Sequence, residues 1–157
     1  MTNGSTDRKH KVVVSNLTKR FGDLSVLDEI SFTVGEGECL SIVGPTGCGK
    51  TTFLNCLSKL LPTTEGNIFI DGELADPRKH NISFVFQEPT PLPWRTVAEN
   101  VIFGMELKRF PPEKQQERLK YILDLVGLTN TANLYPNQVS ASMMQRIAVA
   151  RAFAVDP

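Results

Sequence analysis

The chain has 157 residues, and its 17 Lys plus Arg balance 17 Asp plus Glu, so the formal net charge is zero. A nucleic-acid binder that neutralises phosphates carries a basic excess, which this composition lacks. With 41% apolar and 22% charged residues, the composition is that of an ordinary soluble globular chain of roughly one domain, which excludes extensive disorder.

No apolar stretch approaches the ~20 residues needed to cross a bilayer, and the polar start over residues 1–7 is not a signal peptide. We therefore expect a cytoplasmic protein that does not itself enter the membrane. The basic run Arg8-Lys9-His10-Lys11 is interpreted as part of a solvated tail. The three cysteines form no Cys-x-x-Cys pair, and the two histidines are not spaced with them as zinc ligands, so no structural metal is expected.

The first third of the chain predicts an antiparallel meander. A valine run predicts a strand over 11–16, and apolar alternation predicts another over 30–34. The glycines of residues 35–37 suit a tight turn, after which a strand over 38–43 would complete a hairpin.

Beyond residue 49 the apolar spacing becomes helical, and Pro62 would end this helix. A strand over 67–70 is expected to end at the Asp71-Gly72 turn. The nearly all-apolar segment 82–86 predicts a strand buried on both faces, and a proline-rich loop over 87–95 follows.

Three further helices are predicted. Thr96-Val97-Ala98-Glu99 is a capping box at a helix start. Pro111-Pro112 opens a second helix that Gly127 can terminate. The last helix, from about Ser140 to Ala154, is apolar on most sides.

An eight-residue phosphate-loop pattern lies between the predicted strand 40–43 and the helix from Lys50, and it reads Gly44-Pro45-Thr46-Gly47-Cys48-Gly49-Lys50-Thr51. Its glycines let backbone amides line one concavity, and the helix start adds the positive end of a dipole, so the loop is predicted to bind a β-phosphate. Lys50 would reach the β and γ oxygens, Thr51 would hold a magnesium ion, and Thr52 would donate to the α-phosphate. Cys48 would contribute mainly its amide. The alternative is a glycine-rich turn with an incidental lysine.

The phosphate loop, the segment Phe84-Val85-Phe86-Gln87-Glu88-Pro89 and the stretch 138–154 occur in an order and spacing that resemble the ATP-binding subunit of ABC transporters. The resemblance covers residues 11–157. Leu92 to Val97 and Glu99 to Val101 look most like importers of nitrate, sulfonate, taurine and related solutes.

The resemblance implies an α/β fold of the P-loop NTPase, ABC-type class with an N-terminal antiparallel meander. After a polar tail (1–10) would come a nucleotide-binding core (11–87), an inserted helical subdomain (88–139) and a signature helix returning to the core (140–157).

The same resemblance implies roles for individual side chains. Phe21 would stack on adenine, although a lone Phe there is more often a core or turn aromatic. Gln87 would touch magnesium or the attacking water and act in catalysis with Lys50, although an isolated Gln is more often a surface or capping group. Trp94 is either an anchor for the membrane partner or an ordinary buried aromatic.

Two features depart from the family pattern. Where a Leu-Ser-Gly-Gly-Gln-like signature is expected, the chain has Val139-Ser140-Ala141-Ser142-Met143. Ser140 would still contact the γ-phosphate held by the other subunit of a head-to-tail dimer, but Ala141 and Ser142 add β-carbons that predict weaker closure. The alternative is an ordinary serine-capped helix.

The second departure is that the chain stops at Pro157, before any hydrophobic run ending in Asp-Glu. The second magnesium carboxylate, the catalytic glutamate and the switch histidine of the family would lie beyond this point. We therefore expect a truncated subunit, with an apolar face of its last helix exposed, that binds ATP and Mg²⁺ but lacks hydrolysis on its own.

The complete protein would hydrolyse ATP as a dimer bound to a membrane permease at the inner face of the plasma membrane. The alternatives are a non-catalytic nucleotide-binding or interaction module, and an ABC-type ATPase that serves DNA repair or ribosomes rather than transport.

Overall fold

A computed structural model describes residues 10–157, which divide into two units, one ending at His80 and the other spanning Asn81–Pro157. The predicted tail thus lies outside the described residues except for His10, which begins a strand and is not part of a solvated tail. Lys11 also belongs to that strand, and its Nζ pairs with Asp71 Oδ2 at 2.7 Å.

The first unit is a four-stranded antiparallel sheet with one helix against it. Its elements are β1 (His10–Phe21), β2 (Leu24–Gly35), α1 (Lys50–Leu57), β3 (Glu65–Ile70) and β4 (Glu73–Leu74). The strand order is β2-β1-β3-β4. Residues of β1, β2 and β3 share a core with α1, and the buried set is Val14, Leu17, Leu27, Phe53, Cys56, Ile68 and Ala75.

Turn chemistry sets the hairpins of this sheet. Asp71 and Gly72 both have positive φ, 52° and 81°, which matches the twist of a two-residue hairpin and confirms the turn predicted there. β1 and β2 are likewise joined by two residues, since Phe21 pairs with Leu24. The predicted strands 11–16, 30–34 and 67–70 are confirmed, and the first two form longer strands than expected.

The hairpin predicted between 30–34 and 38–43 is wrong, because β2 pairs with β1 and residues 38–49 form no regular element. The segment 82–86 is also not a strand. Neither segment has a ladder partner among residues 10–157, and an apolar run becomes a strand only when a neighbouring strand takes its hydrogen bonds. Val43 is 90% exposed and Phe86 is 47% exposed, so these segments are not buried here either.

Helix α1 ends at Leu57, five residues before the proline expected to stop it. Lys59 adopts a left-handed φ of 60° and breaks the helical path before Pro62 is reached. The stop is therefore made by a local backbone change rather than by the proline.

The second unit is helical and contains α2 (Val97–Leu107), α3 (Pro112–Leu125), α4 (Ala141–Ala154) and two short 3₁₀ turns, Thr129–Thr131 and Pro136–Gln138. The capping box is confirmed, because Thr96 Oγ1 accepts from Glu99 N and Glu99 Oε2 accepts from Thr96 N. The three helices bury a common core that includes Val101, Met105, Leu123, Ile147 and Ala150.

Side chains cap the carboxyl end of α4. Arg118 donates to the carbonyls of Phe153 and Ala154, and Ser83 donates to that of Ala152. Phe153 of α4 is 55% exposed to solvent. Within residues 10–157, no helix is long and apolar enough to cross a membrane.

Candidate functional site

The loop before α1 depends on glycine at two positions. Gly47 and Gly49 have φ of 83° and 94°, in the left-handed region that side chains with a β-carbon disfavour. A β-carbon at Gly49 would also lie 3.0 Å from the Val26 carbonyl oxygen and 3.0 Å from Leu27 Cδ2. The loop can therefore approach β2 this closely only with glycine at position 49.

The amides at the start of α1 have no protein partner within the described chain. The N-cap residue is Gly49, so no side chain bonds the first turn, in contrast to α2 and α4. Within residues 10–157, the amides of Gly47, Gly49, Lys50 and Thr51 donate to no protein acceptor. Uncapped amides at a helix start form a preorganised anion site, and Thr51 beside them is exposed.

The side chain of Lys50 folds back along the loop that precedes this residue. Its Nζ donates to the carbonyls of Gly44 at 2.8 Å and Pro45 at 2.7 Å and lies 3.5 Å from Cys48 Sγ. Both bonds are exposed to solvent, and an anionic oxygen is a stronger hydrogen-bond partner for an ammonium than a neutral carbonyl. Cys48 itself is exposed, and its Sγ lies 2.8 Å from where a β-carbon at Gly44 would be.

Beside the loop lies an open cavity of about 440 Å³ between β2, residues 40–43 and α1. Its walls are mostly apolar, with Phe32, Leu40 and Phe53 among them. Cys48, Gly49 and Lys50 of the loop also line this cavity.

Phe21 and Thr52 lie in the same unit as the loop. Phe21 ends β1 and is 48% exposed, so it is neither a core residue nor fully open. Thr52 is half-buried in the first turn of α1. The structure thus brings the predicted loop, its lysine and both threonines into one local arrangement.

Gln87 and Ser140 belong to the second unit. Gln87 is exposed within the irregular segment that precedes α2. That segment is tied to α4, because Arg151 Nη1 donates to the Thr90 carbonyl at 3.1 Å, and burial lowers the pKa of the Arg151 guanidinium. Trp94, in the same segment, is 71% exposed, so its interpretation as a buried aromatic is wrong.

Ser140 is the N-cap of α4. Its Oγ accepts from Met143 N at 3.3 Å and lies 3.0 Å from Ser142 Oγ. Ala141 and Ser142 are both exposed, so their β-carbons stand at the surface of the helix start.

Sequence reasoning missed three polar side chains that the structure buries, Thr18, Lys19 and Asn100. Asn100 occupies a position in the apolar stripe of α2 between Val97 and Val101, and a polar residue in such a stripe signals a buried, bonded amide. The sequence around Lys19 does not indicate that this side chain is buried. Its burial depends on a contact with Pro62, which is distant in sequence.

The sequence predicts that the three cysteines do not bind a structural metal. Cys39 and Cys48 are exposed and Cys56 is buried, so only Cys56 packs as a small hydrophobe. Burial raises the pKa of the Cys56 thiol, against an opposing effect of the Lys19 and Lys59 charges. Within residues 10–157, no three His, Cys, Asp or Glu side chains cluster in a way that could hold a metal ion.

Comparison with known proteins places this chain in a family. The model of the ABC transporter family matches residues 27–157. The chain is 39% identical over 149 residues to the sulfate/thiosulfate import ATP-binding protein CysA of Synechocystis sp., covering 93% of this chain and 42% of that protein. It is 42% identical over 153 residues to the ABC transporter ATP-binding protein MJ0412 of Methanocaldococcus jannaschii, covering 95% and 57%.

Solved structures of ATP-binding proteins also match this chain. The dimeric ATP-binding cassette MJ0796, in a post-hydrolysis state with ADP and Pi, superimposes with a TM-score of 0.81 at 34% identity, over 93% of this chain and 70% of that one. The fold is shared at 23% identity by cbiO1 of Clostridium perfringens, with a TM-score of 0.85 over 95% and 63%.

This chain therefore belongs to the ABC transporter family, and its fold class is that of the ABC ATPase domains. It spans 42% to 57% of the length of the first two relatives.

Proposed function

We propose that this chain is the ATP-binding part of an ABC importer subunit, in which residues 44–51 bind the phosphates of ATP. The observation that carries the proposal is the set of amides without a protein partner in the described chain, those of Gly47, Gly49, Lys50 and Thr51, in a loop shaped by two left-handed glycines. Relatives of this chain are named as import ATP-binding proteins, which supports the transport role.

The residues present fit ATP and magnesium. The amides suit a β-phosphate, the Lys50 ammonium suits the β and γ oxygens, and Thr52 suits the α-phosphate. Magnesium, when bound, neutralises charge on the phosphates. Thr51 is the side chain of this unit proposed to hold it, whereas the role of Gln87 toward magnesium and the attacking water stays a prediction from the sequence.

Ser140 is proposed to donate to the γ-phosphate bound by a second subunit. Its hydroxyl and that of Ser142 lie 3.0 Å apart, and only one of their two protons can lie between the two oxygens. The other proton is then available to an anion. A related cassette, MJ0796, was solved as a dimer, which supports pairing with a second subunit.

The 157-residue chain is proposed to bind ATP with little turnover by itself. Residues 44–52 supply hydrogen-bond donors and one thiol but no carboxylate or imidazole that could act on water. In the complete protein, hydrolysis would drive a membrane permease from the cytoplasmic side, where the exposed Trp94 is a candidate anchor for that partner.

The transported solute is proposed to be a small ion. The assignment to nitrate, sulfonate or taurine remains a prediction from residues 92–101. Relatives of this chain are named for sulfate/thiosulfate, spermidine/putrescine and arginine.

Calorimetric titration of the 157-residue chain with MgATP tests the proposal. Lys50→Ala removes charge-assisted bonds and is expected to weaken binding by more than about tenfold. The matched control is Lys79→Ala, which removes an exposed lysine paired with Glu73 and should leave binding unchanged. Equal affinities for wild type and Lys50→Ala would refute the loop as the ATP site.

Phosphate release by the same chain separates the alternatives. ATP binding without turnover fits the proposed part-subunit and also a non-catalytic module, whereas sustained release would contradict the account of hydrolysis. Permease-dependent activity of the complete protein would then distinguish an importer from an ABC-type ATPase of DNA repair or ribosomes.

A further inference from the structure

Lys19 places a cation in the interior of the first unit. The residue is only 8% exposed, and its Nζ donates to the Pro62 carbonyl at 2.8 Å. Burying an ammonium is costly unless its surroundings compensate it, so what Lys19 contacts determines why it is tolerated there.

The second contact of this ammonium is an aromatic ring. Lys19 Nζ lies 4.8 Å from the centroid of Phe21, within the ~6 Å range of a cation–π interaction. The two residues are two positions apart on β1, so their side chains project from the same face of the strand. Because Phe21 remains 48% exposed, the ring still offers surface to a ligand.

The pair is connected to the loop through β2. Lys19 lies opposite Leu27 in the sheet register, and Phe21 lies opposite Leu24. Leu27 in turn packs against Gly49 of the loop, where a β-carbon would come within 3.0 Å of Leu27 Cδ2. The Phe21 ring and the loop therefore meet the same end of β2.

We propose that Lys19 is a positioning residue that fixes the Phe21 ring for stacking on a purine base and thereby sets the preference for a nucleoside triphosphate over bare triphosphate. This inference rests on the proposed function, since it assumes that residues 44–51 hold the triphosphate. Lys19 does not touch the ligand and acts only through the ring.

The test compares the affinities of the chain for ATP and for inorganic tripolyphosphate, which lacks the base. In wild type, base stacking on Phe21 should favour ATP by about tenfold. Lys19→Met should reduce that ratio by about two- to fivefold, because the cation–π contact is lost, while leaving tripolyphosphate binding unchanged. Lys19→Arg, which keeps a cation, should restore the ratio.

Two further variants separate positioning from simple support of the fold. Lys19→Gln keeps a donor for the Pro62 carbonyl but removes the charge, so it should lower the ratio as Lys19→Met does. If Lys19→Met does not fold, Lys19→Gln alone tests whether the charge of Lys19 sets the ratio. Arg20→Met removes the neighbouring exposed cation, which pairs with Glu65, and should leave the ratio unchanged.

The results distinguish a failure of the proposed function from a failure of this inference. If wild type binds neither ligand, the proposed function fails and the inference with it. If wild type prefers ATP but Lys19→Gln shows the same preference, the inference alone is overturned. A wild-type ratio near one would overturn the stacking role of Phe21 while leaving the phosphate loop intact.

Discussion

The side-chain amide of Asn100 binds both backbone polar groups of Leu92. Its Oδ1 accepts from Leu92 N at 2.7 Å, and its Nδ2 donates to Leu92 O at 3.1 Å. The same Nδ2 reaches the carbonyls of Arg95 and Thr96 at 3.0 and 2.9 Å. One buried side chain of α2 thus holds the loop that carries Trp94.

Replacing Asn100 with Ala is predicted to destabilise the protein by about 2–3 kcal/mol, because Leu92 N and Arg95 O lose the partner that the Asn100 side chain provides. Urea unfolding measures this loss. Asn137→Ala, at an exposed position, is the matched control and should fall within about 0.5 kcal/mol of wild type. A loss at Asn100 no larger than that of the control would contradict the anchoring role.

Gly49→Ala is predicted to cost about 1–3 kcal/mol and to abolish ATP binding, because it adds a β-carbon to a left-handed residue already packed on Val26 and Leu27. Gly37→Ala is the control. Its φ is 70° but nothing lies within 4 Å of the added carbon, so it should cost only the backbone preference and leave binding intact. Thermal unfolding measures the loss of stability, and calorimetry measures the loss of ATP binding. Retained ATP binding in Gly49→Ala would be inconsistent with this loop geometry.

Thr96→Ala is predicted to lower the free energy of unfolding by about 1 kcal/mol, because Thr96 Oγ1 no longer accepts from the amide of Glu99. Thr96→Ser keeps the hydroxyl and should be close to wild type. The comparison fails if the two variants are equally destabilised in urea.

The pH dependence of stability should contain a contribution from Glu99. Hydrogen bonds from the Thr96 backbone amide and then its hydroxyl lower the pKa of Glu99 below the ordinary value of 4.5. A lowered folded pKa means that the stabilisation is present above the unfolded value and is lost as the pH falls through the folded value.

Glu99→Gln keeps an acceptor for the Thr96 amide but does not titrate. Its stability should therefore fall less steeply than that of wild type between about pH 5 and pH 3. Parallel pH profiles of the two proteins, measured by urea unfolding, would show that Glu99 does not contribute.

Local rules predicted the elements whose cause is local. Asp71-Gly72 fixes a hairpin, Thr96 and Glu99 start α2, and Ser140 caps α4, and each depends on residues within four positions of one another. The left-handed Gly47 and Gly49 and the helix start at Lys50 also follow from contiguous residues, whereas the phosphate-binding role of this loop stays a prediction.

The predictions that were wrong depend on contacts between residues that are distant in sequence. An apolar pattern at 38–43 and 82–86 indicates strands only if neighbouring strands are available, and none pairs with them among residues 10–157. The burial of Lys19 likewise depends on the return of residue 62 to β1, a contact 43 positions away that no local pattern reports.

The central claim is that backbone amides of the loop hold a polyphosphate, and amide NMR of the isotopically labelled chain tests it most directly. On addition of MgATP, the account predicts the largest shifts at the amides of Gly47, Gly49, Lys50 and Thr51, with the same set responding to tripolyphosphate. Binding that leaves these four amides unshifted while others move would contradict it.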